Sequence, residues 1–124
     1  MKRDFRLRER ERFGQVRRQG ACWTDRLVVL CALPNDLDRS RFGFSVSRRV
    51  GKAVLRNRLK RRMREIVRLR SAGIAVGWDL VFIARPPMAR ADYHEIERAV
   101  ERLLRQAGLT LPKAEHQNAQ DVVA

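Results

Sequence analysis

The residues able to do chemistry in this chain crowd between Arg48 and Arg70. Arg48, Arg49, Lys52, Arg56, Arg58, Lys60, Arg61, Arg62, Arg64, Arg68 and Arg70 stand there against one acid, Glu65. Guanidinium and ammonium groups at this density are suited to holding phosphates. On a helix, Asn57, Arg61, Arg64 and Arg68 fall opposite an apolar stripe of Leu55, Leu59, Met63 and Ile66, with Arg56 and Lys60 flanking them. Arg56, Lys60, Arg64 and Arg68 therefore form a ladder of like charges four residues apart. Solvated helix faces normally mix signs, because like charges at that spacing cost roughly 0.2–0.5 kcal/mol per pair. A phosphate backbone relieves the repulsion, and each phosphate neutralised releases counterions, so affinity is expected to fall steeply with salt.

The groups needed for catalysis by the chain alone are not assembled in the same way. A metal-dependent nuclease needs clustered carboxylates. Asp36-x-Asp38 is the only close Asp pair, and it lies in a turn, where Asp is common for local reasons. His94 stands beside Tyr93 and His116 stands in the tail, neither with a visible carboxylate or nucleophile partner. No phosphate-binding glycine loop, dinucleotide fingerprint or nucleophile motif is present. Cys22 and Cys31 are nine apart without a second Cys pair or a nearby His, which does not fit the usual zinc spacings. They could meet across adjacent strands, but two free thiols in a reducing cytoplasm is the expected state. No catalytic residue and no protein-bound metal is assigned.

The whole chain carries the same bias. Its 124 residues suit one domain, and 28 Lys+Arg against 14 Asp+Glu leave a net charge of +14. Such an excess repels itself in the compact state and points to a polyanionic partner. A membrane surface would call for a basic amphipathic helix with bulky aromatics on its apolar face. No apolar run is long enough to span a bilayer. Met1 to Phe13 alternates charged with apolar residues and has no signal-peptide core, so a cytoplasmic location is expected.

The elements that must position the basic segment follow from periodicity. Leu7 to Gln19 reads as a short charged helix with Phe13 and Val16 on one face and Gly20 as its stop. Arg26 to Leu33 contains an apolar run of strand length, ended by the turn Pro34-Asn35-Asp36. Arg41 to Ser47 alternates, with Phe42, Phe44 and Val46 on one side and Gly43, Ser45 and Ser47 on the other. The basic helix runs from about Lys52 to Arg70, and Trp78 to Ala84 is a buried strand. Asp92 and Glu95 form a capping box for a last helix to Ala107, with Ile96, Val100, Leu103 and Leu104 inward and Gly108 as its stop. Helix, two or three strands, helix, strand and helix make an α/β arrangement whose strands around the basic helix run parallel. One domain over residues 1–111 and a disordered tail over 112–124 are expected.

The stretch Arg41-Phe42-Gly43-Phe44-Ser45-Val46-Ser47-Arg48-Arg49-Val50-Gly51-Lys52, continuing through Arg56-Asn57-Arg58 and Lys60-Arg61 to Glu65, resembles the signature of the bacterial ribonuclease P protein family. Phe13-x-x-Val16-x-x-x-Gly20 and Asp79 to Arg85 match that family's first helix and last strand, and the resemblance covers about residues 5 to 107. It implies an α-β-β-β-α-β-α two-layer sandwich, like the second domain of ribosomal protein S5, with a left-handed β-α-β crossover. Handedness rules alone favour a right-handed one. It implies a subunit that binds a large catalytic RNA, which with its bound Mg²⁺ cleaves precursor tRNA to release the 5′ leader. Arg48, Arg49, Lys52, Arg56, Asn57, Arg58, Lys60, Arg61, Arg64 and Arg68 are then the candidate contacts to that RNA. Neither a protein partner nor a membrane is implied.

The resemblance also implies a cleft between the first helix and the sheet for the single-stranded leader. Its candidate residues are Phe13, Arg17, Ser45, Ser47 and Arg85. Single-strand grooves combine positive charge with aromatic platforms. This chain departs from the pattern, with Arg17 and Cys31 at positions that are aromatic in some relatives. Phe13 is either a stacking platform or a core residue, whereas Phe42 and Phe44 are assigned to the core. A ribosomal protein, a general RNA chaperone and a DNA-binding module remain as alternatives. Against the last, the apolar stripe suggests a docked helix rather than one protruding into a groove.

Overall fold

The computed structural model describes residues 6–7 and 10–112. The elements are α1 (Arg10–Gln19), β1 (Ala21–Thr24), β2 (Val28–Pro34), β3 (Arg41–Ser45), α2 (Ala53–Arg70), β4 (Trp78–Ala84) and α3 (Tyr93–Gln106). This is the α-β-β-β-α-β-α order that the resemblance implies. The sheet runs β1-β2-β4-β3. β2 pairs antiparallel with β1 and with β4, and β3 pairs parallel with β4 through the α2 connection.

Strand alternation gives the sheet two apolar faces. Leu30, Ala32, Phe42, Leu80 and Phe82 meet Leu59, Met63, Ile66 and Val67 of α2 and Ile96, Val100, Leu103 and Leu104 of α3 in the main core. Phe44 lies against Phe82, its cross-strand neighbour, with ring centroids 5.7 Å apart, as the Phe42–Phe44–Val46 alternation predicts. On the opposite face Leu7, Val16, Cys31 and Val81 form a smaller core, against which Phe13, Val29, Leu33 and Ile83 pack. α1 thus covers one face of the sheet, while α2 and α3 cover the other.

The capping box of α3 is present: Glu95 N donates to Asp92 Oδ1 at 2.8 Å, and Asp92 N donates to Glu95 Oε1 at 3.2 Å. Gly108 has a positive φ of 73°, as a helix stop requires. Gly20 acts differently from a left-handed stop. A Cβ there would stand 2.5 Å from the carbonyl oxygens of both Val16 and Ala32, so the residue permits close backbone contact.

Three expectations are corrected. The first helix starts at Arg10 rather than Leu7. Leu7 is buried alongside β3, where its N–H donates to the Phe42 carbonyl at 2.9 Å, and Arg6 forms a parallel bridge to Phe42. The chain there satisfies backbone groups on the open edge of β3, which a helical turn would not do. β3 stops at Ser45, and Ser47 lies in a turn closed by Val50 N donating to Ser47 O at 3.1 Å. Most importantly, Cys22 and Cys31 are joined in a disulfide. The β1–β2 register sets them directly opposite, with Cα atoms 4.1 Å apart, a register that spacing alone does not supply. Beyond Pro112, the tail expectation lies outside the described residues.

Candidate nucleic-acid interface

Helix α2 buries Leu59, Met63, Ile66 and Val67 and turns its charge outward. Arg48 and Arg49 are exposed in the turn before it, and Lys52 is its exposed N-cap. That N-terminus has no side-chain cap and no acid in its first turn. Cations there oppose the helix dipole, whereas an anion would satisfy both the free N–H groups and the side chains. Asn57, Arg58 and Arg61 are exposed, while Arg56, Lys60, Arg62 and Arg64 are half-buried. None of these cations forms an ion pair among the described residues.

Two basic residues of the helix are committed elsewhere. Arg68 donates from Nε and Nη2 to the two carboxylate oxygens of Glu65, at 3.0 and 2.7 Å. Arg70 ties α2 to α3, donating from Nη2 to Glu97 Oε2 at 2.7 Å and from Nε to Glu101 Oε1 at 3.0 Å. Two further cations near α3 are paired, Arg102 with Asp25 and Arg26 with Glu95. Among the described residues, cations without an ion pair run along α2 from Lys52 to Arg64, on the side toward α1.

On that side a cleft of about 480 Å³ opens between α1, β3 and α2. Its walls are Arg10, Phe13, Gly14 and Arg17 of α1, Phe44, Ser45 and Val46 at the end of β3, and Lys60 of α2. Three of the predicted cleft residues, Phe13, Arg17 and Ser45, are brought together. Ser47 and Arg85 are not part of this wall. Ser47 has moved into the following turn, and Arg85 donates from Nη1 to the Asp25 carbonyl at 2.9 Å. Phe13 is half-buried: it packs on the smaller core and also forms part of the cleft wall.

The sequence reading missed Arg6 and Arg10. Arg10 was detectable, since Arg10, Phe13, Gly14 and Arg17 follow helical spacing on one face. Arg6 left no such signal, because its place depends on Arg6 and Leu7 lying beside β3. The charge of Arg6 reaches Arg64, whose pKa is lowered first by burial and then by Arg6. The Nε atoms of Arg6 and Arg56 are buried without a hydrogen-bond partner. A buried guanidinium N–H without a partner is costly, and an anion is the kind of group that would satisfy it.

A carboxylate hub holds α1 over the cleft. Asp79 is fully buried at the start of β4, directly opposite Arg41 on β3. It accepts from Arg41 Nε and Nη2 at 2.8 and 2.7 Å, from Arg12 Nε at 2.6 Å and from Asn35 Nδ2 at 2.9 Å. Burial alone would raise its pKa, but the hydrogen bonds of Arg41, Asn35 and Arg12 outweigh that effect and hold it below the usual carboxylate range. Arg12 also donates to the Pro34 carbonyl at 3.1 Å, fixing α1 to the sheet one residue before Phe13. Both oxygens of Asp79 are thereby occupied. Among the described residues no group of three or more His, Cys, Asp and Glu could hold a metal ion.

Fold and surface define a class: a small α/β sandwich presenting one docked basic helix beside a basic cleft, built to bind a polyanion. The ribonuclease P family model matches residues 1–108. A ribonuclease P protein component of Roseiflexus castenholzii is 48% identical over 110 residues, covering 88% of this chain and 90% of that protein. One from Dehalococcoides mccartyi is 47% identical over 107 residues, covering 86% and 88%. The ribonuclease P protein structure from Staphylococcus aureus superposes with a TM-score of 0.80 at 30% identity, covering 86% of this chain and 97% of that one. That of Thermotoga maritima gives a TM-score of 0.75 at 34% identity, covering 82% and 96%. The chain belongs to the bacterial ribonuclease P protein family, and with it to the RNA-binding ribonucleoprotein components of tRNA processing.

Proposed function

We propose that this chain binds the catalytic RNA of ribonuclease P through α2 and its N-terminal approach, and the 5′ leader of precursor tRNA through the α1–β3 cleft, in the cytoplasm. The observation that carries this reading is the position of Lys60. It belongs to the unopposed basic row of α2 and also forms a wall of the cleft with Phe13 and Arg17. One RNA bound on α2 and a single strand in the cleft would therefore lie side by side. Arg10, Arg17 and Lys60 supply phosphate contacts, Phe13 an aromatic edge, and Ser45 a hydroxyl.

Hydrolysis is assigned to the RNA subunit with its Mg²⁺. The chain's buried carboxylate does not fit a metal, because Asp79 is saturated by Arg12, Arg41 and Asn35. What the chain contributes is binding: it neutralises phosphates and orients the leader relative to the RNA.

The test is cleavage of a leader-bearing precursor tRNA by a bacterial ribonuclease P RNA at low Mg²⁺, with and without this protein. Leader-dependent stimulation is the expected result. RNA binding without stimulation would refute the assignment and leave a basic protein acting on another RNA.

A further inference from the structure

The Cys22–Cys31 disulfide has no role in the reading above, yet it sits against the part of α1 that shapes the cleft. One residue, Gly20, separates α1 from β1, and its backbone is wedged between the Val16 and Ala32 carbonyls. Cys22 Sγ lies 3.9 Å from the carbonyl oxygen of Arg17, whose residue lines the cleft. Cys31 is buried in the smaller core with Val16, whereas Cys22 is exposed. β1 itself is a four-residue edge strand, exposed apart from half-buried Trp23.

We propose that Cys22 and Cys31 form a thiol–disulfide modification site that tunes how strongly the cleft holds the single-stranded leader; this rests on the cleft reading. In the bonded state a covalent link fastens β1, and through Gly20 the last turn of α1, to β2. In the dithiol state β1 is held by backbone hydrogen bonds, and the Cys22 thiol donates to the Arg17 carbonyl. The two states thus offer α1 different supports beneath Arg17. A cysteine pair in a cytoplasmic protein is more often redox-sensing than structural.

The exchange partner is a low-molecular-weight thiol. Its thiolate attacks the exposed Cys22 Sγ, forming a mixed disulfide. The Cys22–Cys31 bond breaks, and Cys31 leaves as a thiolate that takes up a proton. A second thiolate attacks the small-molecule sulfur of the mixed disulfide, releasing Cys22 as a thiolate that is protonated in turn. Two small thiols are oxidised to one disulfide, and the protein gains two electrons and two protons. The small-molecule disulfide drives the reverse reaction.

The test uses enzyme reconstituted with a bacterial ribonuclease P RNA, its protein equilibrated beforehand with reduced or oxidised glutathione. Thiol alkylation and mass measurement report the bond, and Kd is measured for precursor tRNA with and without a leader. The leader's contribution to affinity is expected to be about fivefold larger in the bonded state, the lower end of typical coupling between sites. Cys22→Ser, which leaves only the buried Cys31, is expected to hold the dithiol value in either glutathione state, and Cys31→Ala is expected to hold it in reduced glutathione. A pair that does not exchange with glutathione overturns the proposal. So does an equal leader contribution in both states, which leaves the cleft reading standing. A leader that contributes nothing in either state removes the cleft reading, and the coupling with it.

Discussion

The ring of Phe13 rests directly on the bare backbone of Gly43: a Cβ at that glycine would stand 2.3 Å from Phe13 Cζ and 2.5 Å from Cε2. Gly43 faces α1 because Phe42 and Phe44 face the main core, so strand alternation places the one residue without a side chain beneath the aromatic ring. Gly43→Ala should lift Phe13 and the middle of α1, at a cost of about 1–3 kcal/mol for overpacking. Denaturant unfolding gives the cost, and leader discrimination should fall while binding to the catalytic RNA persists. Unchanged leader discrimination would separate Phe13 from the strand-binding surface.

Arg17 and Arg85 provide a contrast within one chain. Arg17 lines the cleft, while Arg85 is tied to the Asp25 carbonyl. Arg17→Ala should reduce the leader's contribution to affinity and weaken its dependence on salt. Arg85→Ala should leave both unchanged. Binding titrations with leaders of several lengths measure this, and an equal loss for the two variants would contradict the cleft geometry.

Asp79 predicts an acid limit to stability. Its folded pKa is depressed, so its stabilisation is fully present above the unfolded value of about 3.9 and is lost as pH falls through the folded value. Asp79→Asn should cost about 3 kcal/mol near neutral pH, the lower end for breaking a buried pair, since Arg12 and Arg41 keep some solvent access. It should also flatten the fall in stability below about pH 4. Urea midpoints across that range supply the check. A variant with the wild-type acid slope would show that the hub does not set it.

The basic helix, the last strand and the α3 capping box were all legible from local patterns, because each signal lies within a single helix or strand. Features that depend on how strands register were not legible. The Cys22–Cys31 bond needs β1 aligned against β2. Asp79 looks like an ordinary polar start to a strand until Arg41 lies opposite it and Arg12 reaches over from α1. Arg6 joins the charged groups near α2 only because Arg6 and Leu7 lie along the edge of β3. The cleft was half legible: Phe13 and Arg17 follow from helix spacing and Ser45 from strand alternation. Ser47 and Arg85 depended on where the strands end and which way the chain then turns.

Arg68 tests whether ion pairing decides which basic residues of α2 bind RNA. By spacing alone it continues the row of Arg56, Lys60 and Arg64, but it is locked to Glu65 through two hydrogen bonds. A phosphate must compete with that carboxylate, whereas Arg56 and Arg61 have no acidic partner to leave among the described residues. Replacing Arg56 and Arg61 together with Ala should therefore weaken binding to the catalytic RNA and shallow the salt slope by up to about two units. Arg68→Ala should shallow it by clearly less. Glu65→Gln should tighten binding, because it frees Arg68 and removes the single acidic side chain of α2. Filter-binding isotherms over a range of salt concentrations distinguish these outcomes. If Arg68→Ala matched Arg61→Ala in slope, Arg68 would have to leave Glu65 on binding, and the free-state pairing would not decide the contact surface.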